Sequence, residues 1–209
     1  MLNVRLRYGV ILMCYAMLIR LVPYLLPLVG VESLRSGAFY PWNFSPLMAI
    51  CLFGGATFAN RTSAFLVPLV ALLASDLAIW ALMGSEFAFY SNQPVVYGSF
   101  VLGVLIGSRL QKRSGLARIA VGCLSAELLF FLTTNFGVWW FARGTAGSPY
   151  AASFDGLLAC YVAALPFLSR SLASTYLYSG LLFGAWAYAT RNAAEGERAS
   201  VPTQSISPR

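Results

Sequence analysis

Three ionisable side chains interrupt apolar stretches of this sequence: Arg20, Asp76 and Glu127. A charge at the centre of a bilayer costs about 2.5 to 3.5 kcal/mol on insertion scales, so proteins keep one mainly where it binds, pairs or relays something. The sequence has no histidine and no Walker A, H-E-x-x-H or G-x-S-x-G motif. We therefore expect a binding site inside a membrane, with no catalytic residue, no metal, no cofactor and no ATP hydrolysis by the chain itself.

The predicted depth of these three residues in the membrane indicates which of them could lie close together. Counted from the predicted cytoplasmic ends of their helices, Arg20 and Asp76 lie ~18 to 20 Å deep and Glu127 ~12 to 14 Å deep. Arg20 either neutralises Asp76 and locks two helices together, or meets an anionic group of a solute. For Glu127 the alternatives are a protonated carboxyl, a hydrogen bond to a hydroxyl such as Thr133 or Thr134, or a facing cation. All three charges could line one cavity that opens to the exterior.

Neutral polar and aromatic residues complete the candidate site. Asn43 and Asn135 are binding candidates because an amide offers both a donor and an acceptor to a solute. Trp139, next to Trp140, serves either as an interface anchor or as a ligand platform. The predicted substrate-binding residues are Arg20, Asn43, Asp76, Glu127, Asn135 and Trp139.

The elements that position these residues are apolar helices. The chain of 209 residues is 59% hydrophobic and 10% charged, whereas soluble domains carry about 25% charged residues. Its apolar blocks have the length that a helix needs to cross ~30 Å of hydrocarbon. We predict an all-α polytopic membrane protein with six transmembrane helices, at about residues 8–26, 45–59, 64–83, 94–110, 119–135 and 173–190.

A seventh apolar segment, residues 155–168, contains Pro166 and is too short for a comfortable crossing. We predict that it is a short re-entrant or interfacial helix before the last span, and that it closes the pocket as a lid. Residues 1–191 then form a single transmembrane domain, and residues 192–209 form a disordered cytoplasmic tail.

The net charge of +7 is explained by membrane topology, with no nucleic-acid partner. With six spans and a cytoplasmic N-terminus, ten basic residues fall inside and three outside, the bias typical of the positive-inside rule. We predict a multi-pass protein of the inner (plasma) membrane with both termini in the cytoplasm. The inner set is Arg5, Arg7, Arg61, Arg109, Lys112, Arg113, Arg118, Arg191, Arg198 and Arg209, and the outer set is Arg35, Arg143 and Arg170.

Two glycine pairs with helical spacing predict close helix packing, within the protein or against a partner. They are Gly103 with Gly107 in the fourth predicted helix and Gly180 with Gly184 in the last. The four cysteines lie inside apolar segments without C-x-x-C spacing, so they predict neither disulfides nor a metal site.

Several short motifs resemble those of a family of uncharacterised transport proteins that is similar to the S components, the substrate-binding subunits, of energy-coupling factor transporters. The motifs, which extend over about residues 8–190, are Arg20-x-x-Pro23, Asn43-Phe44-Ser45-Pro46, Leu52-Phe53-Gly54-Gly55, Pro68, Ser75-Asp76, Thr134-Asn135-Phe136-Gly137-Val138-Trp139, Gly156-Leu157, Cys160-Tyr161 and Ala164-Leu165-Pro166-Phe167. The resemblance implies a six-helix protein that captures a vitamin-like solute from outside. It also implies an energy-coupling module as partner, with a transmembrane coupling subunit and two ATPases.

The expected function is therefore membrane solute binding for uptake, with a small molecule, the lipid bilayer and the energy-coupling module as partners. A stand-alone proton-linked transporter or channel, in which Asp76 and Glu127 relay protons, is the first alternative. An intramembrane enzyme or a membrane scaffold without a solute is the second, and an enzyme ranks last because an activated nucleophile or metal cluster is lacking from the sequence.

Overall fold

A computed structural model describes residues 4–26, 30, 44–84, 88–110, 114–145 and 147–200, with side chains from 11 to 191. Within these ranges the fold contains α-helices and no strand, as the sequence predicted. The six long helices are α1 Val4–Leu25, α2 Leu47–Thr57, α3 Arg61–Met83, α4 Gln93–Arg109, α5 Leu116–Ala142 and α6 Phe154–Ser200.

Helix α2 is the centre of the fold. Ten of its 11 residues are buried, and it packs against α3, α4, α5 and α6. Its sequence, LMAICLFGGAT, is apolar on every side, and such a helix is stable only where it is surrounded by other helices. The remaining helix, α1, joins the bundle through α3.

Glycines bring the backbones of α2 and α4 into contact. A Cβ atom on Gly55 would lie 2.3 Å from the carbonyl oxygen of Val104, and one on Gly107 would lie 2.4 Å from that of Leu52. A Cβ on Gly103 would lie 2.6 Å from the sulfur of Met48, so the predicted packing role of Gly103 and Gly107 is confirmed. Gly180 and Gly184 differ, because no described atom lies within 4 Å of the Cβ position at either of them.

Side-chain contacts between neighbours show that α4 and α5 run antiparallel. Ser99 and Thr133 share a hydrogen bond of 2.7 Å near one end of the pair, and a Cβ on Gly122 would contact Leu110 near the other end. Helices α5 and α6 are also antiparallel, because Tyr161 near the start of α6 contacts Leu132 in α5, and Tyr176, further along α6, contacts Ala120 near the start of α5.

Helix α6 is continuous through Pro166, so the prediction of a separate short helix over residues 155–168 was wrong. Proline removes one backbone N–H, but the contacts with α5 continue on both sides of it. The Tyr161 hydroxyl donates to the Leu132 carbonyl at 2.8 Å, and the Tyr176 hydroxyl donates to the Ala120 carbonyl at 3.4 Å. This packing holds the helix together where the local sequence favours a break.

The C-terminal part of α6 also differs from the sequence-based expectation. Its backbone stays helical to Ser200, whereas a disordered tail was expected from residue 192, and residues 201–209 lie outside the described part. Alanine and glutamate are good helix formers, and they are frequent in the stretch NAAEGERAS that ends the helix.

Among the described residues, three helical segments are long and apolar enough to cross a membrane: Arg61–Met83, Leu116–Ala142 and Phe154–Arg191. Two more apolar segments, Ile11–Leu25 and Leu47–Thr57, are shorter than 18 residues. The expectation of a helical protein associated with a membrane is thus supported in its general form.

Candidate functional site

Arg20 and Asp76, which the sequence placed at equal depth, form an ion pair. The Arg20 Nη2 and Asp76 Oδ1 atoms are 2.5 Å apart. Nη1 of Arg20 donates to the Ser75 hydroxyl at 2.5 Å and to the Leu72 carbonyl at 3.1 Å. The sequence left open whether Arg20 pairs with Asp76 or meets an anionic solute. In the structure it pairs with Asp76, which joins α1 to α3.

Asp76 also ties α3 to α4. Its second oxygen, Oδ2, accepts hydrogen bonds from Gln93 Nε2 at 2.8 Å and from the Tyr97 hydroxyl at 2.7 Å. With Arg20 on the other oxygen, the carboxylate receives donors from two neighbouring helices, and Asp76 itself is 1% exposed. The ion pair and the two hydrogen bonds together compensate the carboxylate for the water that it loses on burial.

Glu127 on α5 is held by two hydroxyl groups of α6. The Thr175 hydroxyl donates to Oε1 at 2.5 Å, and the Ser171 hydroxyl donates to Oε2. Glu127 is 3% exposed, and none of the described basic side chains forms an ion pair with it. The hydroxyl alternative is therefore present, but its donors come from α6, whereas the sequence suggested Thr133 or Thr134.

A cavity of about 360 Å³ lies at the N-terminal end of α2. Helix α2 begins at Leu47, and both Leu47 and Met48 of its first turn line the cavity. Pockets of ~300 to 1,000 Å³ are typical of small-molecule sites. Its described lining comprises Ile19, Arg20, Pro23, Tyr24, Phe44, Ser45, Leu47, Met48, Leu72, Tyr90, Asn92, Val96, Phe100, Glu127, Phe130, Thr134, Val138 and Ser171.

The predicted residues take different places around this cavity. Arg20 and Glu127 both line it, whereas Asp76 lies behind Arg20 and is not part of the lining. Asn135 lines a neighbouring cavity of about 90 Å³, which shares Phe130, Thr134 and Ser171 with the larger one. Two of the predicted residues thus face the larger cavity directly.

Trp139 and Asn43 lie elsewhere. The Trp139 indole N–H donates to the Ala151 carbonyl at 2.9 Å, which fastens the connection between α5 and α6, and Trp139 is not part of the lining of either cavity. The guanidinium of Arg143 lies 3.1 Å from the ring centroid of the adjacent Trp140. Asn43 lies outside the described residues, so its predicted role stays a prediction.

Asn92 precedes α4 and fixes the wall formed by α5. Its Nδ2 donates to the Thr134 carbonyl at 2.8 Å. A Cβ atom on Gly137 would lie only 1.9 Å from its Oδ1. Because Gly137 has no side chain, the amide can lie directly against α5. The side chain is 6% exposed and lines the cavity.

Sequence reasoning missed the polar residues that hold the two carboxylates. Ser171 and Thr175 are four residues apart, so they share a helix face, and Gln93 and Tyr97 have the same spacing. Two hydrogen-bonding side chains four residues apart in an apolar helix could therefore have indicated where the partners of an intramembrane carboxylate lie. The stretch around Ser171 had instead been assigned to the break before the last span.

Comparison with known proteins yields a family but no activity. The model of a family of unknown function (DUF6580) matches residues 2–199. No curated protein and no solved structure matches the chain. The case for a function consequently depends on the cavity and its charges.

Proposed function

The chain belongs to the family of unknown function DUF6580, and we propose that it is a membrane solute-binding subunit that captures a small molecule for uptake. The observation that carries the proposal is the cavity of about 360 Å³ bounded by Arg20 and the buried Glu127. A cavity of this size with a few convergent polar groups in an apolar wall is the usual form of a small-molecule site.

The proposed mode of action follows the resemblance to S components of energy-coupling factor transporters. The subunit holds a vitamin-like solute, and a partner module with two ATPases supplies the energy for its release into the cell. No covalent chemistry occurs at the site. The support for the binding step is the wall of the cavity, where the polar groups of Asn92, Thr134 and Ser171 join the two charged residues.

We further propose that the chain crosses the inner membrane six times, with both termini in the cytoplasm. The charge bias of the loops supports this orientation, and the antiparallel α4, α5 and α6 support alternating crossings. Helix α5 would cross beside the first half of α6. The 47 residues of α6 span ~70 Å at 1.5 Å per residue, so its C-terminal part would extend into the cytoplasm.

Native mass spectrometry of the protein purified in mild detergent tests the capture of a solute. We expect the wild type to carry a small molecule and Val96→Trp, which fills the cavity, to lose it. Val121→Trp is the matched control, because Val121 is 63% exposed on the outer face of α5. An identical bound mass in all three proteins would place the solute elsewhere. An apo protein without a thermal shift across a metabolite panel would remove the basis for solute binding.

The stand-alone proton-linked transporter is the second candidate, and Glu127 is the observation that favours it. An intramembrane carboxyl beside a cavity is a common component of proton relays. Proteoliposomes that contain this protein alone distinguish the two functions. A proton-linked transporter accumulates the co-purified solute when a proton gradient is imposed, whereas a binding subunit without its ATPase module binds the solute and does not accumulate it.

A further inference from the structure

Among the described residues, the positive and negative charges around the cavity do not balance. Arg20 is neutralised by Asp76 at 2.5 Å, and two further acceptors, Ser75 and Leu72, engage its Nη1 atom. Two N–H donors of Arg20 are thereby committed, and its charge is compensated by the ion pair. Glu127 has no basic partner in the described part of the chain. The wall of the cavity thus carries one paired cation and one unpaired carboxyl group.

Two hydroxyl groups are positioned to stabilise a negative charge at Glu127. Its two oxygens accept hydrogen bonds from the hydroxyl groups of Thr175 and Ser171. Each hydroxyl has one O–H donor, and that donor is used in the bond to the carboxylate. A carboxylate has about four lone-pair positions, and these two donors occupy two of them. Acceptor positions are therefore left for a ligand that enters the cavity, and a buried carboxylate needs a positive partner.

The remaining wall is rich in aromatic rings. Such rings present a negative face, and a cluster of them attracts organic ammonium groups. A small inorganic cation would instead require six or more oxygen ligands, which an aromatic wall does not supply. The described aromatic residues of the lining are Tyr24, Phe44, Tyr90, Phe100 and Phe130.

We propose that the solute is an organic cation, whose ammonium group pairs with Glu127 while its apolar body packs against the aromatic wall. This inference rests on the proposed function of solute capture and specifies its substrate class. Glu127 contacts the solute directly, whereas Ser171 and Thr175 orient the carboxylate. Arg20 helps to close the cavity and, because Asp76 neutralises it, does not select an anion.

A charge series of three similar molecules tests the proposal on the wild-type protein. Phenethylammonium, phenethyl alcohol and phenylacetate carry the same ring with a positive, neutral or negative end. We expect ligand-observed NMR and thermal-shift assays to show binding of the ammonium probe at least about tenfold tighter than that of the other two. Equal or tighter binding of phenethyl alcohol or phenylacetate, or no binding of phenethylammonium, would overturn the assignment, as would stabilisation by sodium or potassium chloride alone.

The variant Glu127→Gln separates the carboxylate from a neutral acid. Glutamine has the shape of a protonated glutamic acid, so binding that survives in Glu127→Gln at wild-type strength means that no negative charge is needed and contradicts the proposal. We expect a loss of at least about tenfold in affinity for phenethylammonium. Asp155→Asn is the control, because it makes the same acid-to-amide change at an exposed position at the start of α6.

The identity of the co-purified solute tells the two proposals apart. A bound metabolite without an amine or other cationic group would overturn the cation assignment and leave solute capture intact. An amine that is lost in both Val96→Trp and Glu127→Gln would support both proposals. The charge series needs no variant, so a folding defect in Glu127→Gln would not remove the test.

Discussion

The hydroxyl of Thr175 lies 2.5 Å from Oε1 of Glu127, with both groups buried between α5 and α6. Hydrogen bonds to charged groups contribute about 1.5 to 3 kcal/mol. We therefore predict that Thr175→Val, which keeps the shape and removes the hydroxyl, lowers the free energy of unfolding by about that amount. Thermal or denaturant unfolding in detergent, followed by circular dichroism, measures the change.

A second threonine on the same helix provides the control for this prediction. The Thr190 hydroxyl bonds to carbonyls of its own helix, at 3.0 Å from Trp186 and 3.1 Å from Ala187, and the residue is exposed. Thr190→Val should change stability by less than about 0.5 kcal/mol. If both variants lose the same stability, the hydrogen bond from Thr175 to Glu127 contributes no more than a hydroxyl that bonds within its own helix, and the prediction is wrong.

The ion pair of Arg20 and Asp76 leads to a double-mutant prediction. Removing one member of a buried pair leaves an uncompensated charge and typically costs about 3 to 5 kcal/mol. Because the Arg20 side chain is 23% exposed, we expect Asp76→Asn to lie at the low end of this range. The double variant Arg20→Gln/Asp76→Asn should recover part of the loss, because it carries no unpaired charge.

Unfolding of the four proteins in this cycle gives the coupling energy directly. A coupling of more than about 1 kcal/mol is expected. Additive effects of the two substitutions would mean that the pair contributes nothing beyond its separate contacts, and that Asp76 depends mainly on Gln93 and Tyr97.

The helical class could be predicted, and the pairing of Arg20 with Asp76 could be predicted as one of two alternatives, because both follow from distances along single helices. Apolar length predicts a helix that can cross a membrane, and equal depth brings two charges to the same level. The partners of Glu127 could not be predicted in this way. Their identity depends on the register between α5 and α6, which follows from tertiary packing.

The error at residues 155–168 shows how local rules can fail. Pro166 and the polar stretch after it favour a helix end when they are considered alone. However, Cys160, Ala164 and Thr175 are all buried and fall on one helix face, so a continuous helix keeps all three residues against the neighbouring helices. Because residues 155–168 and 173–190 were predicted to be separate helices, Ser171 was assigned to the connection between them. Its contact with Glu127 was therefore not predicted.

The contact between α2 and α4 should not tolerate a side chain at Gly107. Its Cβ would lie 2.4 Å from a backbone carbonyl oxygen, and backbone atoms move less readily than side-chain ends. We predict that Gly107→Ala lowers the free energy of unfolding by about 1 to 3 kcal/mol. The control is Gly180→Ala, where no described atom lies within 4 Å and the better helix propensity of alanine should leave stability unchanged or raised.

Equal effects of Gly107→Ala and Gly180→Ala on thermal unfolding would contradict this assignment. A loss confined to Gly180→Ala would instead indicate that the outer face of α6 is covered by another helix in the assembled protein. The test therefore distinguishes the internal glycine contact from an external one.

Asn92 and Gly137 form a pair in which one residue makes room for the other. A Cβ on Gly137 would lie 1.9 Å from Oδ1 of Asn92, so Gly137→Ala must displace the amide from its 2.8 Å bond with the Thr134 carbonyl. We predict that Gly137→Ala costs about 1 to 3 kcal/mol in the wild-type background. In the Asn92→Ala background the clash disappears, and the same substitution should be neutral or stabilising because alanine favours the helix by ~1 kcal/mol.

Thermal unfolding of the two single variants and the double variant measures this dependence. Asn92→Ala alone should destabilise the protein, since the Thr134 carbonyl loses its side-chain donor and the wall of the cavity loses a fixed point. If Gly137→Ala is equally harmful with and without the Asn92 amide, its cost arises from another neighbour. If it is harmless in both backgrounds, α5 can shift away from the connection before α4, and Asn92 does not fix the cavity wall.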